Sequence, residues 1–185
     1  ELSILSNLGI KINKEFKGEV NAIISPKFMR TEKFLVGLSY RLENIVAPVF
    51  LKDTLESFKS NPTAPSMLPD IENYSIERTN RKSVKELSDI PIATLLERCQ
   101  QRIDNNDRIF KGLTFNITPK VPGGAPTITK ILKAHGADGI HVLKTLKDVK
   151  DIKSLKKSKS DDNEVIFLSS EKGFVDKVKD ILSSS

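Results

Sequence analysis

Apolar residues fall in short runs along this chain, and their spacing switches between a helical and a strand period. Leu2, Leu5 and Leu8 recur every third residue with Ile4 beside them, which predicts a helix already under way at Glu1 and ended by Gly9. Residues are therefore expected before Glu1. Ile10-Lys11-Ile12 alternates as a short strand, and Asn13 to Gly18 reads as a polar turn. The run Val20-Asn21-Ala22-Ile23-Ile24-Ser25 predicts a strand stopped by Pro26. Thr31 then stands as an N-cap before Phe34, Leu35 and Leu38, a helix expected to reach about Tyr40 and only mildly weakened by Gly37. Asn44 to Ala47 is a strand closed by Pro48. Val49 to Phe58 is an amphipathic helix with Phe50, Leu51, Leu55 and Phe58 inward.

Asn61 to Pro69 holds three prolines and reads as a linker. Asn73 to Glu77 is a candidate edge strand, Ser83-Val84-Lys85-Glu86 a capping box, and Ile92, Leu95, Leu96, Cys99 and Ile103 the stripe of a helix broken by Asp104-Asn105-Asn106-Asp107. A second unit follows: strand Leu113 to Ile117, a Pro/Gly-rich turn from Pro119 to Pro126, helix Thr127 to Ala134 closed at His135-Gly136, strands Ile140 to Leu143 and Val165 to Leu168, and helix Phe174 to Leu182. Helix, glycine, strand, insertion, strand, helix describes both residues 1–40 and residues 127–182. Strands alternating with helices at short spacing predict an α/β chain: two similar units, each a small parallel sheet flanked by helices, joined by a helical linker.

Charge narrows the partners. Lys and Arg total 30 against 24 Asp and Glu, a net +6 over 185 residues, which suits an acidic partner. A single cysteine excludes an intramolecular disulfide and fits a reducing compartment, while no apolar run approaches the ~18 residues of a membrane span. Arg30 and Lys33 flank Thr31 at the start of a helix, where free N–H groups point outward, so an anion is welcome there.

These residues resemble tandem BRCT domains, the phosphopeptide-binding modules of DNA-damage signalling, over nearly the whole chain. The first repeat carries Ala22 to Ser25, Arg30-Thr31-Glu32-Lys33-Phe34-Leu35, Asn44-Ile45-Val46 and Val49-Phe50-Leu51 in the family's order. The second carries Leu113 to Ile117, Ile131-Leu132-Lys133-Ala134-His135-Gly136-Ala137 and Val165 to Leu168. The linker, with Tyr74-Ser75-Ile76 and a helix leading into Arg108-Ile109-Phe110-Lys111-Gly112, is similar to the C-terminal pair of PTIP and its fungal six-BRCT scaffold counterparts. The resemblance implies repeats at 1–58 and 109–185 and a linker at 59–108, with the first strand of repeat one and the last strand and helix of repeat two lying outside the sequence. It implies that Lys33 and Thr31 bind phosphate, and that Arg30 holds the third residue after a phosphoserine through its backbone or terminal carboxylate. Leu35 and Ala125 would line an inter-repeat slot. The implied role is a nuclear scaffold that binds a phosphorylated histone tail of Ser-Gln type at damaged chromatin, with other DNA-repair partners, no cofactor and no membrane. One lysine and an arginine fork, each charge-assisted bond worth ~1.5–3 kcal/mol, with a shallow slot predict micromolar binding.

Other readings rest on other residues. His135 in a glycine turn and His141 on a strand fit structural or exposed roles, and Cys99 in an apolar stripe fits an inert thiol. No zinc spacing, phosphate-cradling glycine motif or nucleophile elbow is present; Gly123-Gly124 reads as a turn and Asp161-Asp162-Asn163-Glu164 as a solvated loop. No catalytic or metal-binding residue is therefore assigned. The lysines of 144–159 form a candidate basic stripe for weak nucleic-acid contact, though Asp148 and Asp151 interrupt it and no aromatic interleaves. The remaining alternative is a phosphate-independent interaction module.

Overall fold

The computed structural model describes residues 1–61, 68–145, 148 and 164–183. They form two compact units, Glu1–Asn105 and Asn106–Ser185. In unit 1 the order is α1 (Leu2–Asn7), β1 (Ala22–Ile24), α2 (Glu32–Gly37), β2 (Asn44–Val46) and α3 (Val49–Ser60). A 3-10 turn (Ile71–Tyr74), α4 (Ile76–Thr79), α5 (Arg81–Leu87) and α6 (Ile92–Asp104) follow. Unit 2 runs β3 (Leu113–Ile117), α7 (Ala125–Ala134), β4 (Gly139–Val142), β5 (Glu164–Leu168) and α8 (Lys172–Ser183). Both sheets are parallel: β1 pairs with β2 as Ile23↔Ile45, and β3 lies between β4 and β5 as Phe115↔Ile140 and Phe115↔Ile166.

Each core follows from the sequence periods. In unit 1, Ile23, Phe34, Leu42 and Ile45 are buried together with Ile76, Val84, Ile92 and Leu96, so residues beyond the Pro-rich stretch complete the core rather than tether it. In unit 2, Phe115 and Ile117 face Leu132 of α7, while Phe167 and Leu143 on the opposite face pack with Val178 of α8. This is the two-sided burial expected of a parallel sheet.

Four local expectations change. Ile10–Ile12 is not a strand: among the described residues no neighbouring strand offers it a ladder. Among the described residues, the stretch Asn73–Glu77 pairs with the sheet as a strand only at the antiparallel bridge Ser75↔Val46, because the side chain of Asp70 accepts from the Glu72 N–H and winds the chain into the 3-10 turn. Helix α2 stops at Gly37, where tight turns from Val36 to Ser39 and Gly37 to Tyr40 take over. Gly37 is a packing requirement as well as a weak helix former, since a Cβ there would run into Ile23 Cδ1 and stand 2.7 Å from Phe16 Cζ. Finally, α5 starts before the Ser83 box: Asn80 is its N-cap, its side chain accepting from the Ser83 N–H at 3.3 Å.

Candidate functional site: a cationic helix start on unit 1

The loop from Ser25 to Thr31 carries β1 into α2. Ser25 prolongs the ladder by donating its N–H to the Val46 carbonyl, and its buried hydroxyl donates to the Lys27 carbonyl at 2.7 Å. Phe28 turns inward, edge-on to Phe34 with centroids 4.9 Å apart. That inward turn leaves Arg30, Thr31 and Lys33 outside, all exposed. Thr31 has extended backbone angles and caps α2, its Oγ1 accepting from the Phe34 N–H at 3.4 Å. A hydroxyl that accepts one bond keeps its own proton free to donate. Among the described residues, neither the Arg30 guanidinium nor the Lys33 ammonium has a hydrogen-bond or ion-pair partner. Two uncommitted cations therefore flank an oriented hydroxyl. At six residues α2 is too short for its dipole to add much, so the side chains carry the attraction.

Thr31 and Lys33 also line a groove of about 410 Å³ beside the free edge of β1, together with Ser25, Phe34 and the segment Lys11–Phe16. Arg30 and Leu35 are outside that lining; Leu35 is half-buried on α2, and Ala125 is buried at the start of α7 in unit 2. Lys11 and Lys14 bring further positive charge to the groove, with Glu15 held by Lys17 at 2.8 Å. Sequence reading missed these lysines. Their signal was the alternation at 10–12, which separates Lys11 from its apolar neighbours.

Unit 2 offers a natural comparison. At the start of α8 the residue in the place of Thr31 is Glu171, whose carbonyl accepts from Val175, and the place of Lys33 is taken by Gly173. Glu171 is paired with Lys120 at 2.9 Å, and this bond pushes the Lys120 ammonium above its usual range. Thr118 donates to Ser169 Oγ, which accepts from the Glu171 N–H, and Ser170 Oγ donates to the Lys120 carbonyl. The polar groups of this helix start satisfy one another around an acid, which disfavours an anion.

The other chemistry-bearing residues are dispersed. His135 ends α7 with its ring edge-on to Phe110, and His141 is exposed on β4. Burial pushes the Cys99 thiol up, partly offset by Arg102, so little thiolate forms at neutral pH. Among the described residues no group of three His, Cys, Asp or Glu could hold a metal ion, and no helix is long and apolar enough to cross a membrane. Gly123 and Gly124 both take positive φ, 85° and 82°, in the turn before α7. Of the lysine-rich 144–159 stretch, only Lys144 among the lysines is described, its N–H donating to the Asp148 carboxylate; the other lysines, and Asp161 to Asn163, lie outside the described residues.

Comparison with known proteins places the chain. Residues 1–76 and 108–185 each match a family model described as the regulator of Ty1 transposition protein 107 BRCT domain. The regulator of Ty1 transposition protein 107 of Saccharomyces cerevisiae is 33% identical over 147 residues, 77% of this chain. The match spans 12% of that relative's length. Among solved structures, a complex of Rtt107p with a phosphorylated histone superposes with a TM-score of 0.57 at 23% identity, covering 90% of this chain and 74% of the other. A crystal structure of Rtt107p alone gives a TM-score of 0.59 at 23% identity, covering 96% and 78%. These likenesses speak to the fold, and the matched models and the relative to the family: the chain is a tandem BRCT pair of the Rtt107 type.

Proposed function

We propose that this BRCT pair is a non-enzymatic, phosphopeptide-binding scaffold module of the DNA-damage response. It acts in the nucleus by docking on a phosphoserine histone tail of Ser-Gln type at damaged chromatin. The observation that carries the reading is the uncommitted pair Arg30 and Lys33 about the oriented Thr31 hydroxyl. Lys33 meets the phosphate as a point charge, Thr31 donates to a phosphate oxygen, and the Arg30 fork grips the carboxylate or backbone three residues on. The relative Rtt107p, solved with a phosphorylated histone, gives the same class of ligand. Other DNA-repair proteins are the further partners of the scaffold.

In this reading the repeats span 1–58 and 109–185 and the linker 59–108. Unit 2 carries β3 between β4 and β5; the matching place in unit 1, between Ile10–Ile12 and β1, is the open groove.

The test is a titration of a histone-tail peptide ending in a phosphorylated Ser-Gln motif, with its unphosphorylated twin, against the protein and Lys33→Met. Loss of one charge-assisted contact predicts a drop of roughly 10- to 100-fold from micromolar binding with the denaturation midpoint unchanged. Equal binding of the two peptides, or none, would sink the phosphate reading and turn attention to the lysine-rich segment or a phosphate-independent partner.

A further inference from the structure

The loop that presents Arg30 and Thr31 has almost no structure of its own. Among the described residues, no backbone N–H from Lys27 to Arg30 donates to a backbone carbonyl. Its anchors are side chains, and two of the three come from the linker. Ser83 Oγ accepts the buried N–H of Phe28 at 3.0 Å across 55 positions of sequence. Asn80 Nδ2 donates to the Pro26 carbonyl at 3.1 Å. The third is the local bond from Ser25 to Lys27.

The linker residues are themselves tied together. Ser83 donates its hydroxyl to the Asn80 carbonyl at 3.0 Å, which fixes the Oγ lone pairs toward Phe28, and its N–H goes to Asn80 Oδ1. Asn80 thus uses both ends of its amide: the oxygen caps α5 and the nitrogen holds the loop. Phe28, pinned through its N–H, is edge-on to Phe34, the residue immediately after Lys33. A continuous path of hydrogen bonds and ring contact runs from α5 to both sides of Thr31.

We propose that Asn80 and Ser83 form a latch by which the linker sets the spacing of Arg30 and Lys33. They are positioning residues for the anion site, and the proposal rests on the phosphopeptide reading above. Its physical content is preorganisation: a loop held in its binding geometry loses less conformational freedom when the ligand arrives. Linker conformation and phosphopeptide affinity are then coupled, although no linker residue touches the ligand.

Asn80→Ser separates the latch from the fold. Serine caps a helix about as well as asparagine and adds no charge, but it lacks the amide nitrogen that reaches Pro26. Ser83→Ala removes the acceptor for Phe28. Glu77→Gln serves as control, because Glu77 accepts the Ile92 N–H and so alters the linker without touching the loop. In the whole chain without ligand, amide exchange at Phe28 to Lys33 should accelerate in Asn80→Ser and Ser83→Ala and stay put in Glu77→Gln. Affinity for the Ser-Gln phosphopeptide should fall roughly three- to tenfold in Asn80→Ser with the denaturation midpoint unchanged, and this loss should vanish in an Arg30→Ala background. Unchanged exchange in both latch variants overturns the latch. Faster exchange with unchanged affinity overturns its positioning role. A parent protein that does not distinguish the two peptides overturns the phosphate reading and with it the positioning role, while the exchange rates still judge the latch itself.

Discussion

Asn116 invites the most direct test of the packing argument. It sits on β3, the middle strand of its sheet, paired in register with His141 and Phe167, and is 1% exposed, with neither amide atom hydrogen-bonded among the described residues. A buried polar group left unsatisfied costs about 1–3 kcal/mol, and this residue carries two such atoms on one amide. Valine suits a two-sided strand and needs no partner, so Asn116→Val should stabilise unit 2 by about 1–3 kcal/mol. For a unit of this size each kcal/mol moves the midpoint about 4–8 °C. Because the chain has two units, a single melting curve is the wrong assay; exchange of the Thr114 and Phe115 amides reads unit 2 alone. Slower exchange and a higher midpoint for unit 2 are expected. A less stable Asn116→Val protein would refute the reasoning, since it would show that the amide is satisfied. Asn116→Asp gives the reverse case. Burial raises the folded carboxyl above its unfolded value, so the variant is at its most stable below that unfolded value and loses stability as pH rises through the folded one.

The other predictions use different physics. Gly136 takes φ 87° and a Cβ there would collide with Arg108 Cβ, so Gly136→Ala should destabilise unit 2 by about 2–4 kcal/mol, read by urea denaturation, and leave unit 1 exchange unchanged. Tyr74 donates its hydroxyl to Asp53 at 2.9 Å, and that bond raises the phenol above its ordinary 10.0, with desolvation and the Asp53 charge adding to it. The contribution is present below the ordinary value of 10.0 and lost as pH rises through the raised one. The stability advantage of the parent over Tyr74→Phe, measured by alkaline denaturation, should therefore disappear there; an advantage independent of pH would count against the bond.

Period and punctuation made most of the elements legible. The five-residue run at 113–117 became β3, and Thr31 became the cap of α2 as its side chain type suggests. What the pattern did not reveal was set by partners distant in sequence. Ile10–Ile12 has strand alternation but, among the described residues, no ladder beside it, so pattern alone overstates it. Gly37 looked like a tolerated weakness, whereas its role depends on Ile23 and Phe16. Ser83 looked like the start of a helix, yet it lies inside α5 with its oxygen on Phe28, 55 positions away. Charge type and spacing single out Arg30, Thr31 and Lys33 in the sequence, and all three are exposed at the start of α2. The groove walls, Lys11 and Lys14 among them, required the chain to be folded.

The shared core of unit 1 has a consequence for synthesis. Ile76, Val84, Ile92 and Leu96 are packed with Ile23, Phe34 and Ile45, so the earlier residues have only part of their apolar cover until the later ones exist. On the ribosome, where the chain grows at ~5–20 residues per second and domains fold as units, β1, α2 and β2 complete their core only when α6 has emerged. During those seconds Ile23, Phe28 and Phe34 are open to chaperones, and a pause in translation between α3 and the 3-10 turn would lengthen that exposure.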